Sequence, residues 1–143
     1  MIDEVGFIKE SRFAEIPTKA YEDSAGFDLY CVHPTVIHPG ATVKIDTKIG
    51  VVLPPGTYGR IAGRSGVSLR GGVIDRNYYG TIGVIMYNSS KTMFRIDHKD
   101  RIGQLIVEKI VEGKGIVVER IGAPGTSDDS SERGCRGFGS SGI

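Results

Sequence analysis

The sequence predicts an all-β protein: one antiparallel, jelly-roll-like β-barrel domain over residues 1–121 and a mobile, glycine-rich C-terminal arm over 122–143. Three observations carry this. Short apolar-alternating runs recur about every ten residues between Pro-Gly and Gly-rich turns, the rhythm of a sandwich or barrel. No stretch has the ~3.6-residue periodicity of an amphipathic helix. From Gly122 the texture turns to Gly, Ser, Asp and Arg, with too little apolar surface to join a core.

The elements follow in order. Val5-Gly6-Phe7-Ile8 is the first expected strand, and 20–24 a loop. Across 24–32, Phe27, Leu29 and Cys31 alternate with Asp28 and Tyr30, a half-buried strand that Pro34 ends. Thr35-Val36-Ile37 runs into His38-Pro39-Gly40, with Pro and Gly at the central positions of a type II turn. Residues 43–46 and 49–53 read as two short strands before the break at Pro54-Pro55-Gly56, and 57–62 resumes β character. The stretch 71–80 reads as a β-hairpin: Gly71 and Gly72, the apolar pair Val73-Ile74, a polar turn at Asp75, then Tyr78, Tyr79 and Gly80. Strands are expected at 81–87, 93–96, 102–110 and 115–121; Ile, Val and Gly in 102–110 favour strand over helix.

Composition narrows the function classes. A chain of 143 residues is one domain with room for a core, and 39% hydrophobic with 24% charged residues is ordinary for a soluble protein. A net charge of +1 argues against a nucleic-acid polymer or an anionic membrane as partner. No apolar run approaches the ~20 residues of a membrane span, and Met1-Ile2-Asp3-Glu4 lacks the layout of a signal peptide. Cys31 and Cys135 form no disulfide framework, so a reduced, soluble, intracellular setting (cytoplasm or nucleus) is expected. The 21 glycines exceed the usual ~7% but are not periodic, which excludes a collagen-like chain.

Several segments bear chemistry. Gly63-Arg64-Ser65-Gly66 reads as a turn presenting a guanidinium and a hydroxyl, both phosphate-binding types. Arg133-Gly134-Cys135-Arg136-Gly137-Phe138-Gly139-Ser140 offers backbone N–H groups and arginines to an anion but lacks the Gly-Lys-Ser/Thr ending of a Walker loop. Phe138 has no core to join; it is a base-stacking residue or an incidental aromatic in a tail. Asp28 is a charge in an apolar strand and calls for a partner, such as Arg101. Residues 99–105 read alone as a charge run leading into a strand. Asp75 read alone is turn chemistry. His33, His38 and His98 form no ligand cluster, and no Ser/His/Asp or Cys/His set is evident.

Taken together and in this order, the segments resemble the five motifs of the trimeric dUTPase family. The first is Ala25-Gly26-Phe27-Asp28-Leu29-Tyr30 and the second Gly63-Arg64-Ser65-Gly66. The third is Gly72-Val73-Ile74-Asp75 with Tyr78 and Gly80, and the fourth Asp100-Arg101-Ile102-Gly103-Gln104-Leu105. The fifth is Arg133-Gly134 with Gly137-Phe138-Gly139-Ser140 and Gly142. The resemblance implies a jelly roll, a homotrimer with sites shared between subunits, and an arm that closes over a neighbour's site. It implies Mg²⁺-assisted hydrolysis of dUTP to dUMP and diphosphate, which limits uracil in DNA and supplies dUMP for thymidylate synthesis. Asp75 would activate the water that strikes the α-phosphorus. Arg64, Ser65, Gly66 and Gln104 would hold the phosphates, with Arg133 at their terminal end. Asp28 would meet the metal through water or order nearby arginines. The backbone of Gly72, Val73 and Ile74 would read uracil, Tyr78 would pack on the sugar, and Phe138, carried by Gly137, Gly139 and Ser140, would stack on the base. The departures are a short segment between Gly66 and Gly72, Asn77 where an acid is common, Tyr79 where a basic residue is common, Arg136 for glycine and Gly63 for proline. A dCTP deaminase of related fold, or a non-catalytic nucleotide-binding module, would share the scaffold.

Overall fold

A computed structural model describes residues 4–63, 68–69 and 72–122. The chain divides into two units, the residues up to Val111 and those from Glu112. Among its described residues the first unit contains ten strands: β1 (Gly6–Lys9), β2 (Gly26–Tyr30), β3 (Thr35–Ile37), β4 (Thr42–Val52), β5 (Thr57–Ala62), β6 (Ser68–Leu69), β7 (Val73–Ile74), β8 (Thr81–Tyr87), β9 (Phe94–Ile96) and β10 (Arg101–Lys109). All pair antiparallel, in two four-stranded sheets of order β1-β4-β8-β6 and β2-β10-β5-β7 and a two-stranded β3-β9 ribbon. Among the described residues there is no helix, and so none long and apolar enough to cross a membrane. The expected all-β, jelly-roll-like class holds.

Period-two alternation makes the core. On β8, Ile82, Val84 and Met86 turn inward while their neighbours stay half-exposed. Ile45 and Ile49 of β4 join them from the same sheet, and Leu29, Ile61, Ile74 and Leu105 meet them from the other, in one apolar cluster. Phe7 of β1 and Phe27 of β2 tie the sheets edge to face, with ring centres 5.2 Å apart. The turn at His38 closes as expected: the Ala41 N–H donates to the His38 carbonyl (3.0 Å), and Gly40 takes φ 76° as the second central residue of a type II turn.

Three expectations are corrected. Residues 43–46 and 49–53 are not separate strands but parts of β4, which runs on through a bulge between Asp46 and Gly50. Lys48 takes φ 56° there, and Asp46 Oδ1 accepts its N–H (2.8 Å). The buried Thr47 hydroxyl donates to the Ile82 carbonyl across the ladder (2.8 Å). Thr47→Val removes the hydroxyl that this carbonyl accepts from, so a loss of about 1–2 kcal/mol in unfolding free energy, read from urea denaturation, is expected; an unchanged free energy would show that the bulge stands without it.

The stretch 71–80 is not a hairpin paired on itself. β7 pairs with β5 in one sheet, and β8 belongs to the other, so the segment carries the chain between sheets. The expected strand at 115–121 is absent. In the unit beginning at Glu112, residues 112–118 lack regular structure, and Val117 is 100% exposed. Ile116, Val117 and Val118 favour extended backbone, but a strand needs an edge to pair with, and no described strand pairs with this segment.

Candidate active site

Of the described candidate residues, Asp28 and Gln104 lie on the outer face of the β2-β10-β5-β7 sheet, and register decides that they meet. On β2, Phe27 and Leu29 turn to the core, so Gly26, Asp28 and Tyr30 face out. Gln104 of β10 stands opposite Asp28 on one side and Ala62 of β5 on the other. Arg64, Ser65 and Gly66 follow Ala62 and Gly63 in the sequence. Those three residues lie outside the described residues, as do Arg133, Gly137, Phe138, Gly139 and Ser140.

A bulge aligns β10. Residues three apart on a regular strand face opposite ways, yet Arg101 and Gln104 both face outward. The register shift between Arg101 and Gly103 absorbs one residue and buries Ile102 and Gly103 side by side. Arg101 Nη1 then reaches Asp28 Oδ2 at 3.4 Å. This is the partner expected for Asp28, whose side chain is 18% exposed. The Asp28 backbone is also fixed, its N–H donating to the Thr18 carbonyl (2.6 Å). Beside the pair opens a cleft of about 590 Å³ that includes Thr18, Tyr30, Phe94 and Arg95.

The third motif sits at the other edge of the sheet. Gly72 takes φ 126°, and its carbonyl accepts the Ile61 N–H (2.7 Å). A Cβ at 72 would stand 3.1 Å from the Ile61 carbonyl oxygen, so both conformation and close approach call for glycine. Ile74 is buried and anchors the strand, whereas Val73 is 70% exposed. The turn that follows closes with the Tyr78 N–H on the Asp75 carbonyl (3.0 Å), leaving Asp75 exposed. Tyr78 folds back, its hydroxyl donating to the Thr81 carbonyl (2.8 Å) above Gly80, which takes φ 119°. Tyr79 is 91% exposed.

A dUTPase family model matches residues 12–142. The chain belongs to the dUTPase family. Deoxyuridine 5'-triphosphate nucleotidohydrolases of cowpox virus and of vaccinia virus (strain Copenhagen) are each 42% identical to it, over 97% of this chain and 93% of theirs. Among solved structures, a variant of the Staphylococcus bacteriophage 80alpha dUTPase with dUpNHpp superposes with a TM-score of 0.82 at 24% identity, covering 98% of this chain and 99% of that one. The dUTPase from phage phi11 of S. aureus gives 0.78 at 21%, over 84% and 99%. These two likenesses establish the fold.

Within this dUTPase-family chain, Asp28, Arg101 and Gln104 come together, but Asp75 does not join them. Continuing the register from Gly59 opposite Ile74 puts Asp75 level with Tyr58 and Glu108. That is four residues along β10 from Gln104, and three strands across from Asp28. At about 3.3 Å per residue and 4.8 Å per strand, Asp75 stands roughly 15–20 Å from both.

Register also builds a cluster that no local motif signals. Glu108 Oε1 accepts from Arg60 Nε (2.7 Å) and from the Tyr58 hydroxyl (3.0 Å), beside β7. Those two hydrogen bonds hold the Glu108 carboxyl below the usual carboxylate range. Positions 58, 60 and 108 show no spacing that links them; only the β5–β10 pairing does.

Proposed function

We propose that this chain hydrolyses dUTP to dUMP and diphosphate in sites completed by a second copy, Asp75 coming from one chain and Asp28 with Gln104 from another. The separation of Asp75 from that pair carries the reading. A general base must lie about 3 Å from the water it deprotonates, and the water attacks a phosphorus whose phosphates the other groups hold. The two halves converge only if different chains supply them. A closed homotrimer provides three equivalent sites of this kind.

The chemistry is in-line displacement. Asp75 takes a proton as the water oxygen bonds to the α-phosphorus; the bond to the bridging oxygen breaks, and diphosphate leaves. Gln104, with Arg64, Ser65 and Gly66 from the segment beyond Ala62, holds the phosphates, and Arg133 meets their terminal end. Such a site works by positioning and charge neutralisation. β7 is an edge strand, so backbone groups around Gly72, Val73 and Ile74 that β5 does not use are available to the polar edge of uracil. The Tyr78 ring, held by its bond to Thr81, is the wall for the sugar. The arm 122–143 brings Phe138 onto the base, with Gly137, Gly139 and Ser140 forming its backbone cradle, and shuts out water.

Magnesium fits this arrangement as a companion of the substrate. Among the described residues no group of three or more His, Cys, Asp or Glu side chains is placed to hold a metal, and Asp28 stands with an arginine rather than a second acid. That donor set suits an ion bound mainly by phosphate oxygens and water, with Asp28 touching its water shell. When bound, Mg²⁺ neutralises phosphate charge. An intracellular nucleotide pool is the setting this activity implies.

The test is hydrolysis of dUTP, UTP, dTTP and dCTP side by side, with and without Mg²⁺. Diphosphate release from dUTP alone, stimulated by the ion, is expected. Ammonia from dCTP would reassign the chain to deamination, and binding of dUTP without turnover would make it a nucleotide-binding module.

A further inference from the structure

We propose that Gly26 is a positioning residue for this reaction, its missing side chain being the seat of the Gln104 carboxamide. The inference rests on the phosphate-holding role proposed for Gln104 and extends it one residue outward. β10 places Gln104 opposite Asp28 and Ile106 opposite Gly26, so the side chain of Gln104 has two neighbours on β2 toward which to lean. It leans toward Gly26. A Cβ built there would stand 2.6 Å from Gln104 Oε1, 3.0 Å from the Leu105 carbonyl oxygen and 3.1 Å from Ile106 Cγ1. The carboxamide therefore fills the volume a side chain at 26 would claim, and Gly26 is buried beneath it.

The backbone does not require glycine at this position, because φ lies outside the left-handed region. Glycine also weakens a strand interior. What glycine supplies here is room. Asp28, on the other side, is engaged with Arg101. A methyl group at 26 cannot displace the Leu105 backbone, so the flexible end of Gln104 must give way. The carboxamide would then lose its orientation on the outer face beside Asp28.

The test uses Gly26→Ala, Gln104→Ala and the double variant in the full chain. The readouts are affinity for dUpNHpp by calorimetry, KM and kcat for dUTP, and the thermal midpoint. Gly26→Ala is expected to weaken dUpNHpp about tenfold and to raise KM more than it lowers kcat, as Gln104→Ala does, the scale for one lost hydrogen bond to a charged group. The double variant should bind no worse than either single one, because contacting residues are not additive. Normal affinity in Gly26→Ala, normal affinity in Gln104→Ala, or losses that multiply in the double variant would each overturn the proposal. If Gly26→Ala lowers the thermal midpoint or fails to fold, adding Gln104→Ala should recover part of the loss by removing the contact with Gln104 Oε1, while those with the Leu105 carbonyl and Ile106 remain; a double variant that recovers nothing overturns the proposal too. A wild-type chain that releases no diphosphate from dUTP overturns the parent reading along with this one. Turnover in the wild type with uncoupled variants overturns this one alone.

Discussion

Asp75→Asn is expected to leave dUpNHpp binding largely intact and to lower kcat on dUTP by ~10² or more, the scale for a lost general base. The substitution suits the test because asparagine is nearly isosteric and accepts the same turn conformation. The turn itself is held by the Tyr78 N–H on the Asp75 carbonyl, a backbone bond that the change does not touch. Asp75 is exposed just after β7 and is not part of the apolar cluster, so the thermal midpoint should not move. An effect on turnover without an effect on affinity or folding isolates proton transfer from positioning. Turnover within a few-fold of wild type, measured by diphosphate release in single-turnover conditions, would remove Asp75 from the chemistry and with it the proposed mechanism.

The sequence shows most plainly what depends on local pattern. The alternation of 81–87 marks β8 and its inward face, Pro39-Gly40 marks a type II turn, and the lone acid of β2 calls for the arginine that it finds at 101. Each of these is settled within a strand or by one elementary cost, such as burying an unpaired charge. Pairing is not local. The bulge between Arg101 and Gly103 turns Gln104 to the same face as Arg101, and nothing in residues 99–105 announces it. Thr47 similarly reads as a gap between two strands when it is the buried pivot of one. The segment 71–80 has the composition of a hairpin, yet its two halves serve different sheets, a choice made by the edges available to each. Residues 115–121 have strand propensity and no described strand to pair with. For the candidate site, the residue types and their order along the chain were legible. The distance between Asp75 and the Asp28–Gln104 row was not, because it is set by the register of four strands.

That distance makes subunit mixing decisive for whether two chains build each site. Asp75→Asn and the double variant Asp28→Ala/Gln104→Ala each spoil every site when assembled alone, since each site then lacks one half. Co-refolded in equal amounts, they assort at random into closed trimers, and about a quarter of all sites receive both intact halves. Two preparations with little activity of their own should together recover about a quarter of wild-type dUTP hydrolysis. A mixture no more active than its parts, with mixed trimers confirmed by mass spectrometry, would place Asp75, Asp28 and Gln104 in the same chain's site and contradict the assembly proposed here.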